Sequence, residues 1–224
     1  MGMRKTVLLM ASMGLALFLA SGVALAATVR CVGGECRGTQ KDDRIVGTDR
    51  RDVVEALRGA DEAFGREGND VLYLRGGADQ ARGGQGNDEI LGGDGGDYFL
   101  EGGDGDDILG GGRGYDGLMG DRGDDVLKGG SSADELYGWW GGDTIIGGEG
   151  PDIIEPNPWF GYPQEAAQDT EDYVEAGPGD DRINMGSLDE SVDHVDCGDG
   201  TDWVFEVIDP NTQDTFVNCE NIGI

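Results

Sequence analysis

Aspartate recurs every nine residues from Asp43 to Asp152. The series runs through Asp52, Asp61, Asp70, Asp79, Asp88 and Asp97, gains one residue, and continues through Asp107, Asp116, Asp125, Asp134 and Asp143. Glu101 is the simplest place for the extra residue. Two positions after each aspartate stands an apolar or small residue: Ile45, Val54, Ala63, Leu72, Ala81, Ile90, Phe99, Leu109, Leu118, Leu127, Leu136, Ile145 and Ile154. A fixed period of this kind means one structural unit copied and stacked. Composition alone, with 44 glycines in 224 residues and a net charge of −30, would place the chain among disordered proteins. The register argues otherwise, because a low-complexity coil has no reason to keep carboxylates and aliphatic side chains in phase.

The cleanest copy is Gly83-Gly84-Gln85-Gly86-Asn87-Asp88-Glu89-Ile90-Leu91. Glycines at its first, second and fourth places let the backbone turn sharply through positive φ. Carbonyl oxygens of such a turn can face one spot, and the aspartate at the sixth place adds a carboxylate. Glu89-Ile90-Leu91 then makes a minimal strand whose middle side chain points inward. Oxygen-only ligands suit a hard cation. Calcium suits them best, because it accepts about 6–8 oxygens in irregular geometry, where magnesium demands a near-ideal octahedron.

Gly-Gly-x-Gly-x-Asp-x-apolar-x resembles the hemolysin-type calcium-binding repeat, the RTX repeat. Gly83 to Leu91 and Gly92 to Leu100 match it in full. Gly102 to Gly110, Gly111 to Met119 and Gly147 to Ile154 match with ordinary variation, and degenerate copies reach back to Gly38 and forward to Asp202. The resemblance implies an all-β fold, a right-handed parallel β-roll (an RTX-type β-solenoid) with calcium-binding turns and two repeats per coil. Residues eighteen apart would then share a metal. One edge carries Asp52, Asp70, Asp88, Asp107, Asp125 and Asp143; the other carries Asp43, Asp61, Asp79, Asp97, Asp116, Asp134 and Asp152. Several calcium ions are expected, with Asp70, Asp88, Asp97, Asp107, Asp116, Asp125, Asp134, Asp143, Asp152, Asp181 and Asp202 as ligands.

The turns differ in quality. Ala56-Leu57-Arg58-Gly59-Ala60-Asp61 and Leu74-Arg75-Gly76-Gly77-Ala78-Asp79 lack the opening glycine pair. Calcium should therefore bind weakly or not at all between Asp61 and Asp79, and most tightly between Asp88 and Asp125. Coils spaced at about 4.8 Å make six or seven along a rod of roughly 30 Å. So thin a core supplies little hydrophobic stabilisation, at about 25 cal/mol per Å². Rows of uncompensated aspartates would outweigh it, so metal binding should be linked to folding.

Residues 1–26 carry Arg4 and Lys5, an apolar run and Ala24-Leu25-Ala26, the small-x-small pattern of a cleaved signal peptide. The run approaches the length of a membrane span, but Met13-Gly14, Ser21-Gly22 and the alanine-rich end favour cleavage. Cys31 lies too far on for a lipoprotein anchor. The expected product is secreted, either free or held at a cell surface, and monomeric. Segments 27–37 and 170–224 read as an N-terminal cap and as degenerate repeats with a C-terminal cap, around repeats at 38–154 and an insertion at 155–169. Four cysteines in an exported chain suggest disulfides. The economical pairing of the three connectivities is Cys31–Cys36 with Cys197–Cys219.

Beyond Glu155 the register resumes at Asp172, Asp181, Asp193 and Asp202, followed by Val174, Ile183, Val195 and Val204; Asp214 and Phe216 fit after three inserted residues. The insertion is rich in rings and prolines, including Trp159, Phe160 and Tyr162, while Trp139 and Trp140 replace turn glycines before Asp143. Two readings stand: a contact patch for a cell-surface protein or carbohydrate, or mutual packing that shields one side of the roll.

The charge excludes nucleic acid and anionic lipid as partners, and no pore-forming apolar segment is present. A zinc protease needs His-Glu-x-x-His, and His194 is the only histidine. No serine lies in a Gly-x-Ser-x-Gly elbow. Carboxylate pairs of the glycosidase kind abound, yet they lie in the nine-residue register of a slender roll. The chain reads as a calcium-binding module whose folding depends on calcium, not as an enzyme. The alternative is a surface adhesin or surface-layer component that uses the roll as a rigid scaffold.

Overall fold

The computed structural model describes residues 27–32, 34–157, 171–187, 193–207 and 214–223, which hold twenty-one strands, β1 (Ala27–Arg30) to β21 (Asn221–Gly223), and no helix. Residues 1–26, read as a leader, and 158–170, with Trp159, Phe160 and Tyr162, lie outside the described residues. Odd-numbered strands form an eleven-stranded sheet and even-numbered strands a ten-stranded one, and every pairing is parallel. The chain is an all-β solenoid that makes one strand of each sheet per coil.

A full strand has six residues, such as β8 (Glu89–Asp94), with its second and fourth residues facing in. One repeat therefore contributes one inward aliphatic side chain and one inward glycine. Leu72, Ile90, Leu109, Leu127 and Ile145 stack in one sheet; Ala63, Ala81, Leu100, Leu118 and Leu136 stack in the other. All belong to one buried cluster that runs the length of the roll. In β4 (Val53–Arg58) and β6 (Val71–Gly76), Ala56 and Leu74 take the inward glycine place and are fully buried. They add apolar bulk to the coils whose other sheet offers only Ala63 and Ala81.

The extra residue is not Glu101. In β9 (Phe99–Asp104), Leu100 pairs with Ala81 and with Leu118 and is fully buried, whereas Phe99 is 36% exposed. The added residue is Tyr98, directly after Asp97. Its ring meets that of Tyr115 at 5.9 Å, and Phe99 lies under the guanidinium of Arg82 at 5.6 Å. The inward place goes to the aliphatic residue, and both aromatic rings gain partners on the surface.

The stack is longer than six or seven coils because residues beyond the aspartate series add strands at both ends. β1 and β2 (Glu35–Arg37) pair with β3 (Asp43–Val46) and β4, so 27–37 is a first coil, with Cys36 level with Val54. After the insertion, β16 (Tyr173–Glu175) pairs with β14 (Thr144–Glu149), Val174 against Ile145. Cys31 is bonded to Cys36 and Cys197 to Cys219, with Cα atoms 5.0 and 5.2 Å apart.

Candidate metal centre

The last three residues of a full strand and the three that follow, 83–88 in one repeat, form a six-residue turn that closes on an aspartate. These aspartates form two ladders up the roll. In one, the N–H of Asp52 donates to Oδ1 of Asp70, Asp70 to Asp88, Asp88 to Asp107, Asp107 to Asp125 and Asp125 to Asp143, at 2.7–2.9 Å. In the other, Asp43, Asp61, Asp79, Asp97, Asp116, Asp134 and Asp152 are joined in the same way. The ladders keep the two edges read from the eighteen-residue rule. They continue through Asp172, Asp193 and Asp214 on one side and through Asp181 and Asp202 on the other.

Oδ1 is thus used by the fold. From Asp61 to Asp152, Oδ2 of every ladder aspartate is buried without a hydrogen-bond partner, as it is in Asp181 and Asp202. A buried, unpartnered carboxylate oxygen is costly. Desolvation is the main cause that pushes these carboxyls up; the donated N–H pulls the other way but loses. Asp61, Asp70, Asp88, Asp116 and Asp152 rise to about 6. Asp79, Asp107, Asp134, Asp143 and Asp181 rise to about 7, and Asp125 to about 9. Burial also raises Asp97 and Asp202. These groups must bind either protons or cations.

The first glycine of each good turn decides where Oδ2 can lie. A Cβ on Gly83 would sit 2.2 Å from Oδ2 of Asp88 and 2.7 Å from the carbonyl of Gly102 in the next coil. Gly65, Gly92, Gly120, Gly129, Gly138 and Gly147 bring the same pair together before Asp70, Asp97, Asp125, Asp134, Asp143 and Asp152, and Gly102 and Gly111 lie as close to Asp107 and Asp116. The missing Cβ leaves a carboxylate and a carbonyl oxygen beside one space. Ala56, Leu74, Ala176 and Cys197 occupy the equivalent place before Asp61, Asp79, Asp181 and Asp202. The last two, expected among the ligands, therefore stand in the ladder without the glycine.

No three acidic, histidine or cysteine side chains converge among the described residues. The carboxylates stand in rows, so a cation here needs backbone oxygens too. Unpartnered anionic oxygens with carbonyls beside them fit a hard cation of the calcium type.

Two features escaped the sequence reading. At the start of the ladders, Asp52 Oδ2 accepts the N–H and the hydroxyl of Thr48 at 2.6 and 2.9 Å, and Asp43 Oδ2 accepts the N–H of Thr39 at 2.5 Å. Those Oδ2 atoms are satisfied within their own turns, and it is Oδ1 of Asp43 and Asp52 that is buried without a partner. The signal was present, since threonine stands where later copies have glycine. At the far end, Glu220 accepts the N–H of Asp202 at 3.1 Å and closes that ladder, eighteen residues on. Asp172, Asp193 and Asp214, in register in the sequence but not among the expected ligands, carry on the other ladder.

A family model described as the RTX calcium-binding nonapeptide repeat matches the chain in four copies, at residues 37–72, 73–100, 99–118 and 119–154. No curated protein matches the chain.

Proposed function

Because the chain belongs to the RTX calcium-binding repeat family, we propose that its turns hold several calcium ions and that holding them is what folds it. One observation carries the reading: rows of buried aspartate oxygens lack any partner within the protein. Calcium supplies the charge that lets these carboxylates stay ionised. Asp70, Asp88, Asp97, Asp107, Asp116, Asp125, Asp134, Asp143 and Asp152, each preceded by an open glycine, are the proposed ligands. Asp181 and Asp202 are weaker members, and the Asp61–Asp79 region binds least. Nothing in this scheme is catalytic, and the protein acts by binding.

With the leader and both disulfides, the reading is of an exported protein that folds where calcium is plentiful. A surface role as a rigid scaffold is the second reading, favoured by the half-buried Trp139 and Trp140 in the turn before Asp143. Circular dichroism of the disulfide-intact chain from Ala27 onward tests the first. Calcium at about millimolar or below should convert a coil spectrum in chelator into a β spectrum, and magnesium should not. Equal order in chelator and in calcium would overturn it.

A further inference from the structure

We propose that a groove on the outer face of the odd-numbered sheet, along its turn edge, binds a neutral oligosaccharide. The groove is open to solvent, has a volume of about 680 Å³ and does not involve the aspartate ladders. Its floor follows from one column of residues at the second place of successive turns: Arg66, Gly84, Gly103, Asp121 and Trp139. The two glycines make it low in the middle. Arg66 closes one end; Asp121 and Trp139 close the other. Four strand spacings separate Arg66 from Trp139, about 19 Å, room for several linked sugar rings.

The walls offer hydrogen-bonding groups: three of their five carboxylates lie in ion pairs, and Glu67 and Asp121 add further acceptors. Arg66 pairs with Asp49 at 3.0 Å, Arg122 with Asp104 at 3.4 Å, and Arg82 with Glu101 at 2.7 Å. Guanidinium donors and carboxylate acceptors thus alternate in compensated pairs, an arrangement that hydroxyl groups can bridge from both sides. The indoles of Trp139 and Trp140 stand perpendicular, with centroids 5.3 Å apart, and give the end of the groove an aromatic wall. A peptide adding to a sheet needs an open strand edge, whereas this groove crosses strands whose backbone groups are already paired. A polyanion is repelled by the −30 charge of the chain, and a polycation would be drawn to the whole acidic surface.

The protein holds Asp121 and Trp139 here in left-handed backbone, at φ 78° and 86°, where glycine stands at Gly84 and Gly103. Such strain does not by itself mark a site, since Leu57 and Arg75 on the other edge share it. It does supply a clean test. Trp139→Gly and Asp121→Gly return each turn to the residue its backbone favours, so the fold should tolerate or gain from them.

The probes are cellotetraose, chitotetraose, mannotetraose and xylotetraose, titrated by calorimetry against the folded protein in calcium. At least one should bind, and each glycine variant should weaken it by tenfold or more while circular dichroism and melting temperature are kept or raised. The proposal is overturned if none of the four binds, if binding survives both variants, or if oligolysine binds the groove and both variants abolish that instead. Folding in calcium is read separately by circular dichroism, so a failure of the calcium reading is distinguishable from a failure of this one.

Discussion

Leu74 and Gly92 hold equivalent places in β6 and β8, between the paired residues Tyr73–Leu91 and Arg75–Gly93. Leu74 is fully buried, whereas a Cβ on Gly92 would lie 2.2 Å from Oδ2 of Asp97. One coil therefore uses this place for core, and the next leaves it open beside a carboxylate. Gly92→Ala should weaken calcium binding at the Asp97 turn by about tenfold or more, the size of effect seen when a ligand's support is disturbed. Gly76→Ala is the control, since its Cβ would come no nearer than 3.4 Å to any atom. Ala56→Gly should strengthen binding at Asp61. Calcium calorimetry reads all three; unchanged affinity and stoichiometry in Gly92→Ala would refute the glycine rule.

Substitution of Asp107 by asparagine separates the two jobs of a ladder residue. The amide keeps an acceptor for the N–H of Asp88, now 2.7 Å from Oδ1, but loses the charge. Asp107→Asn should lower calcium affinity by about tenfold or more and leave more β structure in chelator than the parent has, because a buried charge is gone. Asp52→Asn should cost less affinity, since Thr48 already takes Asp52 Oδ2 and only its Oδ1 is left without a partner. Equal loss in the two variants would mean that position along the ladder does not matter.

Much of this was legible in the sequence because the period is rigid. Asp88, Ile90 and the glycines at Gly83, Gly84 and Gly86 assign the turn, the inward column and both edges. The failures lie where two residues compete for one place. Phe99 keeps the aspartate-plus-two spacing, but Leu100 fills the core better, and only packing decides that. Residues 27–37 carry no aspartate in register, so nothing announced that Val29 and Cys36 join the inward columns opposite Ile45 and Val54. The division of labour between Oδ1 and Oδ2 was likewise invisible, since it depends on which N–H lies one coil below.

Cys197 and Cys219 close a loop with a sequence separation of 22, whereas Cys31 and Cys36 are 5 apart. Loop entropy makes the longer one more stabilising, at about 3 kcal/mol against about 2 kcal/mol for the shorter. The double variant Cys197→Ser, Cys219→Ser should raise hydrogen exchange in β18 (His194–Asp196) to β21 and leave β6 to β12 (Val126–Ser131) protected in calcium. Uniform deprotection along the roll would show that the bridge stabilises the whole stack and not its end.

Proton binding sets the last expectation. In the unfolded chain the ladder carboxyls ionise near their ordinary 3.8, but in the folded, ion-free roll burial holds Asp88 and Asp116 at about 6 and Asp107, Asp134 and Asp143 at about 7. The folded form keeps protons that the unfolded form releases, so its stability is greatest below pH 3.8 and falls as pH rises through about 6 to 7. Acidifying the chain in chelator from about pH 8 to about pH 5 should therefore increase its β content. Calcium competes with these protons for the same oxygens, so each ion that binds below about pH 7 should release protons, and the affinity of the folded roll for calcium should fall with pH. The calcium concentration at half-folding should nevertheless fall as pH drops below about 7, because protons already favour the folded form. Circular dichroism titrations read the midpoint and calorimetry in two buffers reads the protons released; calcium binding at about pH 6 without proton release would mean that the ions bind elsewhere than the buried ladder.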